Sequence, residues 1–329
     1  MPPSDTASGD RPRQAGAKTA RFALSGPMLD WALLGLLVIL WGSAFAGLKI
    51  AAETIDPYWM TAVRVCVAAG VLALVVAIRR EPVPRLFPRP HPLYAFAFII
   101  GVPGMAVPFL GFSWAAQHVD SAVLAILNGA APLYTGFLAH YFIPGERMTL
   151  ARGVGLALGF AGLAVLITPT IDPEASAPLM ACLAAAAATF GYAVGNVTAK
   201  RAPPVSPLTL AFLFNIWAAI IALVAAFLLE PFPVNAAPEG WVSVALLGAG
   251  PTALATVAFV WLIQRRGPVF AATVTYLTPL WAALIGIVFL AERPGVEVWI
   301  ALALILLGVW AANRERTADQ AGDPAKDRG

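Results

Sequence analysis

The sequence predicts an all-α integral membrane protein whose ten transmembrane helices form two inverted five-helix repeats. Three observations carry this. Apolar residues make up 60% of the 329 positions and charged ones only 12%, against about 25% charged in an ordinary soluble domain; in water such a chain would lack the polar surface to cover itself. The stretch from Phe112 to Arg147 has a second copy later in the chain. The basic residues also fall almost wholly on one side of the apolar runs.

The duplication is read by sliding the sequence 147 positions along itself. Gly101 then falls on Gly248, Phe112 on Phe259, Trp114 on Trp261, Gln117 on Gln264, Ala125 on Ala272 and Pro132-Leu133 on Pro279-Leu280. One residue drops out at the following turn. At offset 146, Glu146-Arg147 matches Glu292-Arg293, Leu156-Ala157 matches Leu302-Ala303, and Gly162 matches Gly308. Apolar helices share Ala and Leu through composition alone. A Trp, a Gln, a Pro and a Glu-Arg pair recurring in one register mark a repeated unit.

In chain order, residues 1–29 read as a disordered basic cytoplasmic tail rich in Pro, Gly, Ser and Arg. The run 31–52 is too long for a cleavable signal. Its 22 residues reach about 33 Å at 1.5 Å each, enough for a bilayer core of about 30 Å. Nine further runs lie at 58–78, 93–116, 119–141, 150–168, 178–199, 206–228, 241–263, 269–291 and 296–312. They lack the period-two alternation of a membrane barrel, so helices are expected. Repeat one then covers 30–169 and repeat two 178–313, with a disordered cytoplasmic tail at 314–329. Pro103 and Pro108 in the third run and Pro251 in the eighth each remove a backbone hydrogen bond and predict kinks. Glu146-Arg147 and Glu292-Arg293 mark the turns before helices, where a carboxylate complements the positive helix end.

With both tails cytoplasmic, 18 of the 21 Lys and Arg lie on the inner side; Arg293 alone lies outside, and Lys49 and Arg64 lie within helices. This is the positive-inside pattern, and it places the chain in the cell (plasma or inner) membrane with both termini inside. Five helices per repeat make the second repeat begin outside, inverted relative to the first. Inverted repeats of this kind bind small molecules near the midplane at the repeat interface in secondary transporters.

The run Trp41-Gly42-Ser43 with Phe45, Lys49, Pro57 and Arg64 resembles the first helix pair of EamA-type members of the drug/metabolite transporter superfamily. Pro132, Gly145-Glu146-Arg147 and the glycines 153, 155, 159 and 162 resemble the end of the same module, repeated as Pro279, Glu292-Arg293 and Gly308. The resemblance covers about residues 30–313. The second module departs in its opening, where Phe190-Gly191-Tyr192 replaces the Trp-Gly pair. The resemblance implies a ten-helix carrier with a central cavity lined mainly by helices 1, 3, 4, 6, 8 and 9, moving amino acids, other metabolites or drugs, often outward.

Candidate substrate-binding residues follow from polar or aromatic side chains at membrane depth. Asn128 and Thr275 occupy equivalent positions four residues before the paired prolines; polar groups there face protein or water, as site or as interhelical hydrogen bonds. Tyr134 and Trp281, each two residues after the Pro, could stack on a substrate or fill the bundle. Trp41 and Phe45 lie one turn apart with Ser43 nearby, as do Tyr192 and Asn196, at helix centres that the resemblance implies face the cavity. Lys49 and Arg64 either snorkel to the outer interface or attract a carboxylate- or phosphate-bearing substrate.

No Asp or Glu occupies the centre of a run and no phosphate-binding loop is present, so neither an intramembrane carboxylate nor ATP hydrolysis by that loop is expected. His118 and His140 lack the partners for metal or general-base chemistry, and Cys66 and Cys182 lie in apolar runs as small filler. The expectation is therefore a non-enzymatic carrier without cofactor or metal, a monomer or homodimer whose partners are a small-molecule substrate and the lipid bilayer, with no nucleic acid. Against it stand a polytopic membrane enzyme, which would want a cluster of acid, His or Ser residues on one membrane face, a permease subunit serving a separate ATPase, and a drug exporter.

Overall fold

The computed structural model describes residues 26–85, 91–144, 146, 148–170 and 176–321. Among them the regular structure is helical throughout. In order, α1 is Gly26–Ala52, α2 Pro57–Arg79, α3 Leu93–Gly101, α4 Val107–Ala115, α5 Ser121–Gly129, α6 Ala131–Phe142 and α7 Leu150–Ile167. Then come α8 Ser176–Arg201, α9 Pro207–Leu229, α10 Pro238–Leu247, α11 Ala255–Phe289 and α12 Val296–Ala321. Counted across their joints, 8 helices are long and apolar enough to cross a bilayer, and two shorter apolar stretches lie at Leu277–Phe289 and Val296–Ala311.

Local chemistry sets the boundaries. α2 and α9 are each 23 residues long and open on a proline, whose fixed φ suits the first helical position and whose missing N–H would have had no partner there. α2 stops at Arg80, where a left-handed φ of 51° turns the backbone N–H onto the Ala77 and Val76 carbonyls. α7 starts at Thr149, whose hydroxyl accepts from the Arg152 N–H at 3.3 Å. Two expectations are corrected at the ends. Residues 26–29 and 314–321, read as disordered tail, are helical. Pro27 suits a first turn, and 314–321 contains no Gly or Pro to stop a helix. The rest of both tails lies outside the described residues.

The prolines act in two ways. α3 passes to α4 through a π-helical segment, Val102–Ala106, and α10 to α11 through another, Gly248–Leu254. The wider π turn absorbs the lost N–H and the crowding of the proline ring, and the two segments fall at matching places in the 147-residue register. A break that the sequence did not suggest separates α5 from α6. Pro132 has no N–H to give the Asn128 carbonyl, and the Ala130 N–H closes the turn onto the Leu127 carbonyl at 3.3 Å. The Thr189 hydroxyl, which donates to the Ala185 carbonyl at 2.8 Å, also lies 3.2 Å from the Leu127 carbonyl. In the second half, α11 stays helical through Pro279, but it does not run straight. Phe259 and Trp281, 22 residues apart, both lie against neighbouring residues of α1, Trp41 and Ser43, so its two arms fold back on each other between them.

Long-range packing pairs α7 with α12, α2 with α9, α1 with α10 and α11, and α8 with α4, α5 and α6. Some of its close backbone approaches are reciprocal. A methyl added at Gly162 would meet the Ala301 carbonyl at 3.0 Å, and one at Gly308 the Gly155 carbonyl at 2.5 Å. One at Gly248 would meet the Arg64 carbonyl at 2.5 Å, and one at Gly101 would strike the Phe214 carbonyl. Small residues let backbones approach this closely where burial of apolar surface from water gives no drive between helices. Ile78, Phe227, Leu228 and Phe289 point outward, as lipid-facing side chains do.

Candidate functional site

A cavity of about 660 Å³ lies inside the bundle, with lining from nearly every helix of both halves of the chain; its size is that of a small-molecule site. At one end the lining reaches Glu146, Met148, Arg152 and Lys200. There Glu146 holds Arg152 at 3.0 Å and Lys200 at 2.8 Å, tying the loop after α6 to α7 and α8. Toward the opposite end the lining stops at Leu48, Arg64 and Phe112.

Polar ties close that opposite end. The Glu292 carboxylate accepts from the Ser121 N–H at 2.8 Å and from the Ser121 hydroxyl at 2.9 Å, wholly buried. It caps α5, the start of a helix 171 residues away, rather than the helix that follows it in sequence. The Ser243 hydroxyl donates to the Gly47 carbonyl at 2.7 Å, and the Trp59 indole N–H to the Glu230 carbonyl at 3.3 Å. Lys49 joins the same closure: its Nζ donates to the Val119 carbonyl at 2.8 Å and lies 3.6 Å from Asp120.

The candidate residues divide. Trp41, Phe45, Arg64, Asn128, Tyr192, Asn196 and Thr275 line the cavity, and Ser43, Lys49, Tyr134 and Trp281 are not part of the lining. Gly42 explains the first and last of these. A side chain there would meet the Trp281 ring at 2.6 Å, so its absence lets the indole lie flat on α1 and donate to the Ser43 hydroxyl at 2.9 Å. Tyr134 packs edge-on against Phe160 and Phe190. Within the cavity, Phe45 meets Phe112 edge-on, and Phe112 stacks on Tyr192 at 5.8 Å, giving an aromatic wall from α1, α4 and α8. Asn196 donates to the Thr135 hydroxyl at 3.3 Å. The Trp41 indole donates to the Pro251 carbonyl at 2.9 Å, a group within the second π segment.

Sequence reasoning missed Thr252, Thr256 and Thr278, which also line the cavity. Thr252 directly follows Pro251, and a hydroxyl beside a helix-interrupting proline is the signal that could have found it. The Arg64 guanidinium lies 3.8 Å over the Phe109 ring, and its Nε donates to the Thr252 hydroxyl at 3.0 Å.

The chain is similar to known membrane proteins over most of its length. It is 27% identical over 296 residues to a protein of Streptantibioticus cattleyicolor named a probable terminal-alkyne amino-acid exporter, covering 86% of this chain and 93% of that one. It is 28% identical over 279 residues to YedA, an uncharacterized inner membrane transporter of Escherichia coli, covering 83% of this chain and 87% of the other. A solved crystal structure shares the fold with a TM-score of 0.61 at 23% identity, covering 87% of this chain and 98% of that one. The profile of the EamA-like transporter family matches twice in tandem, at residues 29–168 and 179–314; a membrane-spanning helical bundle, a central cavity built from both halves and this double match together place the chain in the EamA-like transporter family.

Proposed function

We propose that the chain is a secondary transporter that exports or exchanges a small metabolite, an amino acid or organic anion, by alternating access. The observation that carries this reading is the cavity lined from both halves and tied at one end by Glu292, Ser121 and Lys49. A carrier exposes its site to one side at a time, and the lining that runs on to Arg152 and Lys200 at one end supports access from that side. Two inverted five-helix repeats are supported by the reciprocal glycine contacts and by the matching π segments. On this reading the stretches Leu277–Phe289 and Val296–Ala311 belong to the ninth and tenth spans. Both termini are cytoplasmic, and the cavity faces the cytoplasm. The relative named as an amino-acid exporter supports that cargo class.

Topology is tested with single cysteines at Arg85 and Glu53 in a protein carrying Cys66→Ala and Cys182→Ala. A membrane-impermeant thiol reagent is expected to label Glu53→Cys in intact cells and Arg85→Cys only after lysis; labelling of both from one side overturns the ten-helix inverted reading. The site is tested by counterflow in proteoliposomes against amino acids and organic anions. Asn128→Ala and Thr275→Val are expected to raise the apparent KM several-fold at unchanged melting temperature. Interhelical bonds alone would instead lower stability by about 0.6 kcal/mol each and leave KM where it was.

A further inference from the structure

We infer that Arg64 is the carboxylate anchor of the cavity, that Thr252 is the residue that positions it, and that the cargo is a monocarboxylate with an apolar remainder. This rests on the transporter reading and names its substrate class. Of the two basic residues within the membrane spans, Lys49 is spent on the Val119 carbonyl and Asp120, leaving Arg64 as the cation of the cavity's inner reach. Its side chain is held on two sides: Phe109 covers one face of the guanidinium, and Nε is engaged by Thr252. The Thr252 hydroxyl gives its own proton to the Leu247 carbonyl at 2.9 Å, so only its lone pairs are left for Arg64 and the orientation is set. The two terminal nitrogens remain. Among the described residues no carboxylate lies within 4.0 Å of Arg64, and the acidic lining residue, Glu146, is tied to Arg152 and Lys200. A guanidinium held in the wall of an internal cavity, with its terminal nitrogens facing no carboxylate, matches a carboxylate in shape and charge. A phosphate monoester carries about two negative charges, of which a single guanidinium balances one.

The two halves are unlike at this point, and the difference describes the cargo. Arg64 is the eighth residue of α2 and Phe214 the eighth of α9; the glycine contacts on their carbonyls mark them as counterparts. In the 147-residue register Thr252 corresponds to Met105. Both Phe214 and Met105 line the cavity. Where one half offers Arg64 and Thr252, the other therefore offers an aromatic ring and a thioether. The cavity suits a molecule charged at one end and apolar at the other.

The test uses the purified full chain and four probes of one size: pentanoate, norvaline, pentanamide and norvalinamide. Thermal stabilisation should follow the two carboxylates and not the two amides. Arg64→Gln and Arg64→Lys should weaken carboxylate binding by about tenfold or more, the scale of losing a charge-assisted or two-pronged contact. Thr252→Val should weaken it several-fold and Thr252→Ser restore it, with the ligand-free melting temperature of both close to wild type; a merely structural Thr252 would move that temperature instead. Equal response to carboxylates and amides, no response to either carboxylate, or full affinity in Arg64→Gln overturns the inference. Counterflow separates the two claims. Carboxylate-dependent binding without counterflow removes the transporter reading and leaves the anchor, whereas counterflow of a neutral probe unaffected by Arg64→Gln removes the anchor and leaves the transporter.

Discussion

Glu292→Ala is expected to destabilise the protein by about 2–4 kcal/mol, since it removes two hydrogen bonds to a charged group together with a helix cap. The carboxylate is buried and satisfies both polar hydrogens of Ser121, at 2.8 and 2.9 Å, so its loss strands a buried backbone N–H and a buried hydroxyl. Glu292→Gln should recover part of the loss, because its amide oxygen still accepts from the Ser121 N–H while its NH₂ can donate to the hydroxyl. Ser121→Ala should lose less than Glu292→Ala, keeping the backbone bond. The measurement is thermal unfolding in detergent for the three single variants and for Glu292→Ala/Ser121→Ala. The double variant should be less destabilised than the sum of the single ones, as neighbours sharing one contact are. Melting of Glu292→Ala at the wild-type temperature would mean the contact does not hold that end of the bundle.

Gly308→Ala and Gly70→Ala are expected to shift stability in opposite directions. At Gly308 the added carbon would sit 2.5 Å from the Gly155 carbonyl oxygen and 3.1 Å from the Gly159 nitrogen. Both are backbone atoms and cannot rotate aside, so α12 must withdraw from α7 along their shared face. Overpacking of this kind costs about 1–3 kcal/mol, and Gly308→Leu should exceed that range and reduce the yield of folded protein. At Gly70, in the interior of α2, nothing lies within 4 Å, so alanine restricts the unfolded chain without a clash and should stabilise by about 0.4–1 kcal/mol. The same detergent unfolding reads both. A Gly308→Ala that melts like wild type contradicts the described packing of α7 on α12, and a destabilised Gly70→Ala contradicts the open space beside α2.

Much of the architecture was legible in the sequence because helix formation in a membrane is decided locally. A run of apolar residues must satisfy its own backbone hydrogen bonds, so the expected run 58–78 became Pro57–Arg79, and 150–168 became Leu150–Ile167. The tandem family match at 29–168 and 179–314 follows the duplication read from Trp114, Gln117, Pro132 and Glu146. Cavity membership was only half legible. One residue along a helix turns the side chain by about 100°, and which way it then faces depends on a partner distant in sequence. Trp41 and Phe45 line the cavity, yet Ser43 between them meets Trp281, 238 positions away, because Gly42 gives the indole a place to lie.

The same division separates Lys49 from Arg64. The sequence put both cations at similar depth and left their roles alike, since each was a long basic side chain in an apolar run. The fold set the Val119 carbonyl and Asp120 beside Lys49, and Phe109 with Thr252 beside Arg64. Thr252 could not be assigned from its own surroundings: it meets Arg64 from 188 positions away, where the π turn after Pro251 carries it inward. Hydropathy, helix length and repetition are properties of neighbouring residues, and the sequence by itself determined them. Which cation faces the cavity, and which is used to close its end, depends on contacts between helices far apart in the chain, and only the tertiary structure decided it.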